Sequence, residues 1–309
     1  MEHIIEIEHL TKDYGQGRGV FDVSFYVDRG ECFGFLGPNG AGKSTTIRHL
    51  MGFSVPDSGT TRLNGISSLK ERDLIMEGVS YIPGEVALPL NLKGTDVIKE
   101  QVSLKHMKDL SLLQELIKYF ELDPTLYCKE MSLGMKRKMA IVCAFMSNPE
   151  IIIMDEPSSG LDPEMQEKFV EYVKKEKKAG KTILLSSHIF SEVDSCCDRI
   201  AVIKDGHIVS QFIADDLKHK STKRYRLEYQ NVSLADSAMS QMLKEGYKVT
   251  LSPSDKKRLH VTCDDKEISG MLSNIPQEGL IDLFEKKETL EDYFMSFYKE
   301  DKTYGGISK

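Results

Sequence analysis

The sequence predicts a layered α/β domain that carries a helical subdomain and is followed by a small C-terminal α+β domain. Three observations predict it. An apolar strand at 31–36 runs into the glycine-rich octet GPNGAGKS at 37–44 and then into a helical stretch ending near Met51. A second apolar strand at 151–154 ends in two adjacent acids, Asp155 and Glu156. Beyond residue 216 the pattern becomes strand, helix, strand, strand, helix, strand.

Composition sets outer limits. A chain of 309 residues exceeds one average domain, which suits one large domain and a smaller one. With 40% hydrophobic and 29% charged residues it has the balance of a globular protein, not of a disordered or fibrous one. A net charge of −7 gives no electrostatic support for a nucleic-acid surface, so no direct nucleic-acid partner is expected. The first eight residues are polar and alternating, without the apolar core of a signal peptide. No stretch approaches the roughly 20 apolar residues that span a bilayer, so work at a membrane would need another chain as anchor. The six cysteines lack zinc or CxxC spacing and read as reduced, partly buried thiols of a cytosolic protein. Adjacent Cys196 and Cys197 are expected on different faces of a helix, poorly placed to share one metal.

Taken in order, Ile5 and Ile7 alternate on one strand, a turn follows at 14–19, and a second strand covers 20–27. After the glycine-rich loop, strands are expected at 59–63 and 78–82. Residues 84–148 change character, with helices near 96–107, 110–119 and 132–146, a helical insertion between strands. A strand at 151–154 then leads to a helix at 163–179, capped by Asp162, opened by Pro163 and closed by Gly180. Strands at 182–186 and 200–203 and a turn at Asp205-Gly206 complete a first domain of residues 1–216. Residues 217–309 form the second, with strands at 223–229, 247–251, 259–263 and 280–285 around helices at 233–245 and 267–275, a split βαβ order. A last helix near 290–298 puts Leu290, Phe294 and Phe297 on one face, a packing stripe.

The octet fits GxxxxGK[ST] between a strand and a helix, the setting of a phosphate-binding P-loop. Gly37, Pro38, Asn39, Gly40, Ala41 and Gly42 supply a backbone that curls N–H groups around phosphate oxygens. Lys43 reaches the β and γ phosphates, Ser44 places a hydroxyl on Mg²⁺, and Thr45 adds an α-phosphate contact. Asp155 is placed to hold Mg²⁺ and Glu156 to polarise the attacking water, although adjacent acids also simply solvate strand ends. His188 follows an apolar strand and a serine pair. It reads equally as a donor to the γ-phosphate or as a buried histidine without catalytic duty.

Together these pieces resemble the ATP-binding cassette family over residues 2–216. Tyr14 resembles its adenine-stacking aromatic, though a tyrosine before a turn also serves packing. GPNGAGKST resembles the Walker A loop, IIIMDEP the Walker B strand with its glutamate, MSLGM at 131–135 the LSGGQ signature, SGLD at 159–162 the D-loop, and His188 the switch histidine. The resemblance implies a P-loop nucleoside triphosphate hydrolase that uses ATP and Mg²⁺. It also implies that Ser132 and Gly134 face nucleotide held by an opposite subunit, while Ser132 equally suits a plain helix cap. Lys136, Arg137 and Lys138 read as a solvated helical face. The chain departs from the family twice. Leu133 stands where the signature has glycine, and Gly84 stands where the Q-loop has glutamine, leaving Glu85 or water to complete the metal site.

The chain holds one Walker set, so a composite site needs a homodimer or a related ATPase. The C-terminal region is similar to the appended domain of ATPase subunits of ABC-2 type exporters. The resemblance therefore implies an ATP-hydrolysing subunit on the cytoplasmic side of the membrane, driving export through separate transmembrane permease subunits. Two alternatives stay open: a soluble ATPase that remodels a ribosome or nucleic-acid complex, and a low-turnover regulatory module favoured by Leu133 and Gly84.

Overall fold

The computed structural model describes residues 2–218 and 222–285, with 290, 291 and 294. The expected last helix near 290–298, Phe297 included, lies for the most part outside them. The chain divides into two compact units, Met1–Ala214 and Asp215–Lys309.

In the first unit β1 (His3–Asp13) and β2 (Gly19–Asp28) pair antiparallel, and β3 (Cys32–Leu36) enters the loop that precedes α1 (Lys43–Leu50). There follow β4 (Ser58–Leu63), β5 (Ile66–Ser67), α2 (Arg72–Gly78) and β6 (Val79–Ile82). Three helices, α3 (Gly94–Leu104), α4 (Ser111–Tyr119) and α5 (Leu133–Phe145), intervene before β7 (Ile151–Asp155). The unit continues through α6 (Pro163–Lys178), β8 (Thr182–Ser187), α7 (Phe190–Cys196), β9 (Arg199–Lys204) and β10 (His207–Ile213), and α8 (Ala214–Lys218) follows.

Two sheets form. One is antiparallel, in the order β2-β1-β4-β5, and the other runs β10-β9-β3-β8-β7-β6. In the second, β9, β3, β8, β7 and β6 are parallel and only β10 is antiparallel. Every residue of β3, β7 and β8 is buried, which explains their near-continuous apolar composition. The two sheets share one core: Phe25 of β2 stacks on Phe33 of β3 at 5.0 Å, and Ile47 and Leu50 of α1 pack into the same cluster. Fully burying such side chains contributes about 1.5–3 kcal/mol each. The result is that the carboxyl ends of β3, β7 and β8 are held side by side, and those ends carry the loop at 37–42, Asp155 and Ser187.

Helix ends follow local chemistry. Asp162 Oδ1 accepts from Met165 N–H at 3.0 Å at the start of α6, and Ser132 Oγ accepts from Met135 N–H at 3.2 Å at the start of α5. Four elements escape the sequence reading: β5 and α8, which have only two and five residues, and α2 and β10. Helix α2 buries only Ile75 and has no side-chain cap, and β10 alternates merely between exposed and half-buried, so neither carries a strong apolar period.

Two expectations are corrected. Arg137 is no part of a solvated face, because it is 2% exposed. Nor do Cys196 and Cys197 diverge across a helix. Cys196 is the last residue of α7, and Cys197 leaves it with extended backbone (φ −86°, ψ 146°), which brings the two sulfurs within 3.9 Å.

The second unit holds β11 (Thr222–Tyr229), α9 (Val232–Lys244), β12 (Lys248–Leu251), β13 (Arg258–Asp264), α10 (Ile268–Asn274) and β14 (Leu280–Glu285). Its antiparallel sheet has the order β12-β13-β11-β14. Leu227, Leu259 and Val261 of the sheet pack with Ala235, Ala238 and Met242 of α9 and Met271 of α10.

Candidate functional site

The loop after β3 is built to present backbone. Gly40 and Gly42 take φ of 83° and 111°, left-handed values that side chains resist, and they turn the chain tightly into α1. Lys43 is 5% exposed and its ammonium donates to Gly37 O at 2.6 Å and Pro38 O at 3.0 Å. The same Nζ lies 3.0 Å from Glu156 Oε1.

Glu156 sits one residue past β7 with φ 50°, a strained conformation for a side-chain-bearing residue, and its N–H is held by Ser186 O at 3.0 Å. Its other carboxylate oxygen meets His188 Nδ1 at 2.5 Å. Lysine, glutamate and histidine thus form one continuous chain of polar contacts. Asp155 is buried beside it, with Oδ1 accepting from Ser186 Oγ at 2.6 Å.

Behind His188 lies an acid that the sequence reading passed over. Glu192 is 4% exposed and its Oε2 accepts from Ser187 Oγ at 2.5 Å. Burial pushes its carboxyl from an ordinary 4.5 up to about 7, against hydrogen bonds from Ser187 and Ser158 and with Cys196 and Glu156 adding to the rise. The stabilisation linked to the protonated form is fully present below pH 4.5 and is lost as pH rises through about 7. Urea unfolding of wild type and Glu192→Gln is therefore expected to show wild type losing about 2–3 kcal/mol against the variant between pH 5 and pH 8. A difference that stays constant over that range would contradict the buried neutral carboxyl.

The loop after β6 closes the site from the other side. A Cβ at Gly84 would lie 2.9 Å from Asp155 Oδ2, so glycine lets this backbone settle against the carboxylate where a larger residue would displace it. Arg137 of α5 fastens that loop: Nη1 donates to Pro83 O at 2.7 Å, Nη2 to Gly84 O at 2.6 Å, and Nε to Ser159 O at 3.1 Å. Burial lowers the guanidinium's proton affinity, opposed by the charges of Asp155 and Glu156. One buried side chain therefore joins the loops at 83–84 and 159 to α5. Ser159 precedes Gly160, where an added Cβ would sit 2.9 Å from Leu133 Cγ and Cδ2, so the largely exposed Leu133 lies directly over that loop.

These elements surround a cleft of about 770 Å³ lined by Asn39, Ser44, Arg48, Tyr81, Gly84, Glu85, Asp155, Glu156 and His188, among others. The structure thus brings Ser44, Asp155, Glu156, His188 and Glu85 to one opening. Tyr14 stands elsewhere, 54% exposed in the turn between β1 and β2 with Lys12 Nζ 5.9 Å from its ring centre. Ser132 and Gly134 lie at the start of α5 and do not line the cleft. The donor set suits a triphosphate with Mg²⁺: a buried ammonium and a curled loop for the anion, and a hydroxyl and carboxylates, all hard oxygen ligands, for the cation. Sequence reasoning missed Arg137 and Glu192, because each looks from the sequence like any charged position on a helix.

Comparisons with known proteins agree on one relationship. The sequence profile of the ABC transporter family matches residues 20–159. The chain is 34% identical to the Nod factor export ATP-binding protein I of Paraburkholderia xenovorans, over 68% of this chain and 71% of that one. It is 35% identical to the linearmycin resistance ATP-binding protein LnrL of Bacillus subtilis, over 69% and 70%. It is also 28% identical to the bacitracin transport ATP-binding protein BcrA of Enterococcus faecalis, over 95% and 96%. Among solved structures, an ATP-binding subunit of an ABC transporter superposes with a TM-score of 0.64 at 31% identity, covering 70% of this chain and 92% of that one. A dimeric ATP-binding cassette bound to ADP and Pi superposes at 0.61 with 22% identity, over 68% and 98%, a likeness of fold.

Proposed function

The chain belongs to the ABC transporter family as an ATP-binding subunit, and from that premise we propose that it hydrolyses Mg²⁺-bound ATP to drive export through separate transmembrane subunits. The observation that carries the hydrolytic part is the Lys43–Glu156–His188 chain of contacts beside Asp155 and the loop at 37–42. Lys43 and the loop N–H groups bind the triphosphate. As the ammonium turns to phosphate, Glu156 gives up its contact with Lys43 and is free to take a proton from water. His188, held by Glu156, orients toward the γ-phosphate. Ser44, Asp155 and Glu85 would hold Mg²⁺, which would supply charge neutralisation to the bound phosphates.

The proposed assembly is a dimer in which Ser132 and Gly134 of one chain complete the site of the other. Complementation tests this. Lys43→Ala and Gly134→Asp are each expected to abolish turnover alone, whereas mixing the two proteins restores it, because the mixed dimer holds one site with both halves intact. A mixture as inactive as its components, under conditions where wild type turns over, would rule out composite sites.

Export as the task draws on the relatives, whose names describe export, transport and resistance, and most of all on the likeness to the bacitracin transport protein across both units. No helix among the described residues is long and apolar enough to cross a membrane, so a membrane path would come from partner chains. Affinity capture from detergent-solubilised membranes is expected to yield a stoichiometric integral membrane chain. Recovery with ribosomes or DNA instead would overturn the reading.

A further inference from the structure

Cys32 and the adjacent pair Cys196–Cys197, far apart in sequence, meet in the first unit on the amino-terminal side of the nucleotide loop. Cys32 opens β3, Cys196 ends α7 and Cys197 follows it. Cys32 Sγ lies 3.8 Å from Cys197 Sγ, Cys197 Sγ lies 3.9 Å from Cys196 Sγ, and all three sulfurs fall within 4.8 Å of one another. Their exposures are 0%, 2% and 6%. A Cβ at Gly34 would lie 2.5 Å from Val193 Cγ1 and 3.1 Å from Cys197 Sγ, so glycine lets α7 and its cysteines pack directly on β3.

We propose that Cys32, Cys196 and Cys197 form a three-coordinate thiolate site for a monovalent soft cation, Cu(I), stapling the strand that leads into the nucleotide loop to the end of α7. Spacing is the first reason. Three sulfurs around one ion with metal–sulfur bonds of about 2.3 Å stand about 4.0 Å apart when the ion lies in their plane. Cys32–Cys197 and Cys196–Cys197, at 3.8 and 3.9 Å, lie close to that value before any ion is bound.

Ligand number and type select the ion. Thiolates favour soft cations over Mg²⁺ or Ca²⁺. Zinc in a structural site asks for four ligands, and among the described residues no His, Asp, Glu or fourth Cys joins this group, while burial denies water the fourth place. Cu(I) is content with three sulfurs. On binding, each coordinating thiol gives up its proton to solvent, including the one that Cys196 now donates to Glu192 O at 3.0 Å.

The surroundings fix the ligands and moderate their charge. Lys177 Nζ donates to Cys196 O at 3.0 Å and pairs with Asp198 Oδ1 at 2.6 Å. Asp198 Oδ2 accepts from the Cys32 N–H at 3.0 Å, so one ion pair grips the backbone of both segments. Entry requires local opening of α7, which has seven residues and no side-chain cap.

Anaerobic titration of the full chain with Cu(I) against a chromogenic chelator tests the site. The expected result is one Cu(I) per chain and an X-ray absorption spectrum with three sulfur neighbours and no nitrogen or oxygen. Cys32→Ser and Cys196→Ser are expected to weaken binding by roughly 100-fold or more, beyond what losing an outer partner costs. Cys263→Ser, in the other unit, leaves it unchanged. Failure of wild type to take up the ion, fewer than three sulfurs in its spectrum, or equal binding by Cys32→Ser would overturn the proposal. The spectrum is read on wild type, so the test survives a variant that does not fold.

Discussion

Glu156→Gln is expected to lower steady-state ATP turnover by about 10²- to 10⁴-fold while ATP binding persists. At 1.36 kcal/mol per decade this raises the barrier by about 3–5 kcal/mol. The amide keeps the size of the side chain and can still accept from His188, but it cannot take a proton from water. It also cannot pair with Lys43, now 3.0 Å from Oε1, so the ammonium is free for phosphate and affinity should not fall. The measurement is phosphate release under saturating Mg-ATP beside fluorescent-nucleotide binding. Turnover within twofold of wild type would remove Glu156 from the chemistry and leave the chain as a binding module.

Arg137→Met is expected to damage both stability and turnover. The substitution leaves the carbonyls of Pro83, Gly84 and Ser159 without the donors that now reach them at 2.7, 2.6 and 3.1 Å. Burying acceptors without partners costs about 1–3 kcal/mol each, so a total near 3 kcal/mol is a conservative figure. For a unit of this size that lowers Tm by roughly 6–12 °C. Arg137→Lys keeps the charge but not the flat fork that serves three carbonyls in two loops. It should recover part of the stability and little of the turnover, with the loss in kcat and not KM, because the loops that fail to close are not those that grip the triphosphate. Lysine restoring full turnover would show that charge alone suffices; an unchanged Tm in the methionine variant would show that the three bonds contribute nothing.

Most of the geometry of the loop at 37–44 and of the acids at 155–156 was legible because it is local. A curled loop needs small residues at fixed offsets and one lysine directly after them, and a strand end can deliver two acids only if they are adjacent. Such constraints are written in consecutive residues. The same locality explains why Asp162 and Ser132 read as helix caps. Where the reading went astray, the deciding partners were distant in sequence. Lys136, Arg137 and Lys138 look alike on a helix, yet only Arg137 turns toward carbonyls contributed from residues 83, 84 and 159. Glu192 has the composition of a solvent-facing helical residue and is instead buried behind Ser187.

Gly84 is instructive in another way. Its departure from the family pattern was visible, but the reason was not: the space a side chain would need is filled by the Asp155 carboxylate from β7. Strain at Glu156 was equally invisible, since a φ of 50° there follows from how the chain turns away from β7, not from residue type. The cysteines went further astray, because a residue that ends a helix does not obey the helical period that its neighbours suggest.

By itself the sequence determined most of the order of strands and helices, the glycine-rich loop and the acids at the strand end, since each depends on a few neighbouring residues and on backbone periods of two or 3.6. Tertiary structure alone decided which charges are buried, which loops Arg137 ties together, why residue 84 has no side chain, and that Cys32 meets Cys196 and Cys197. Those outcomes depend on parallel strands set side by side by long crossovers, and proximity of that kind leaves no mark on the spacing of residues along the chain.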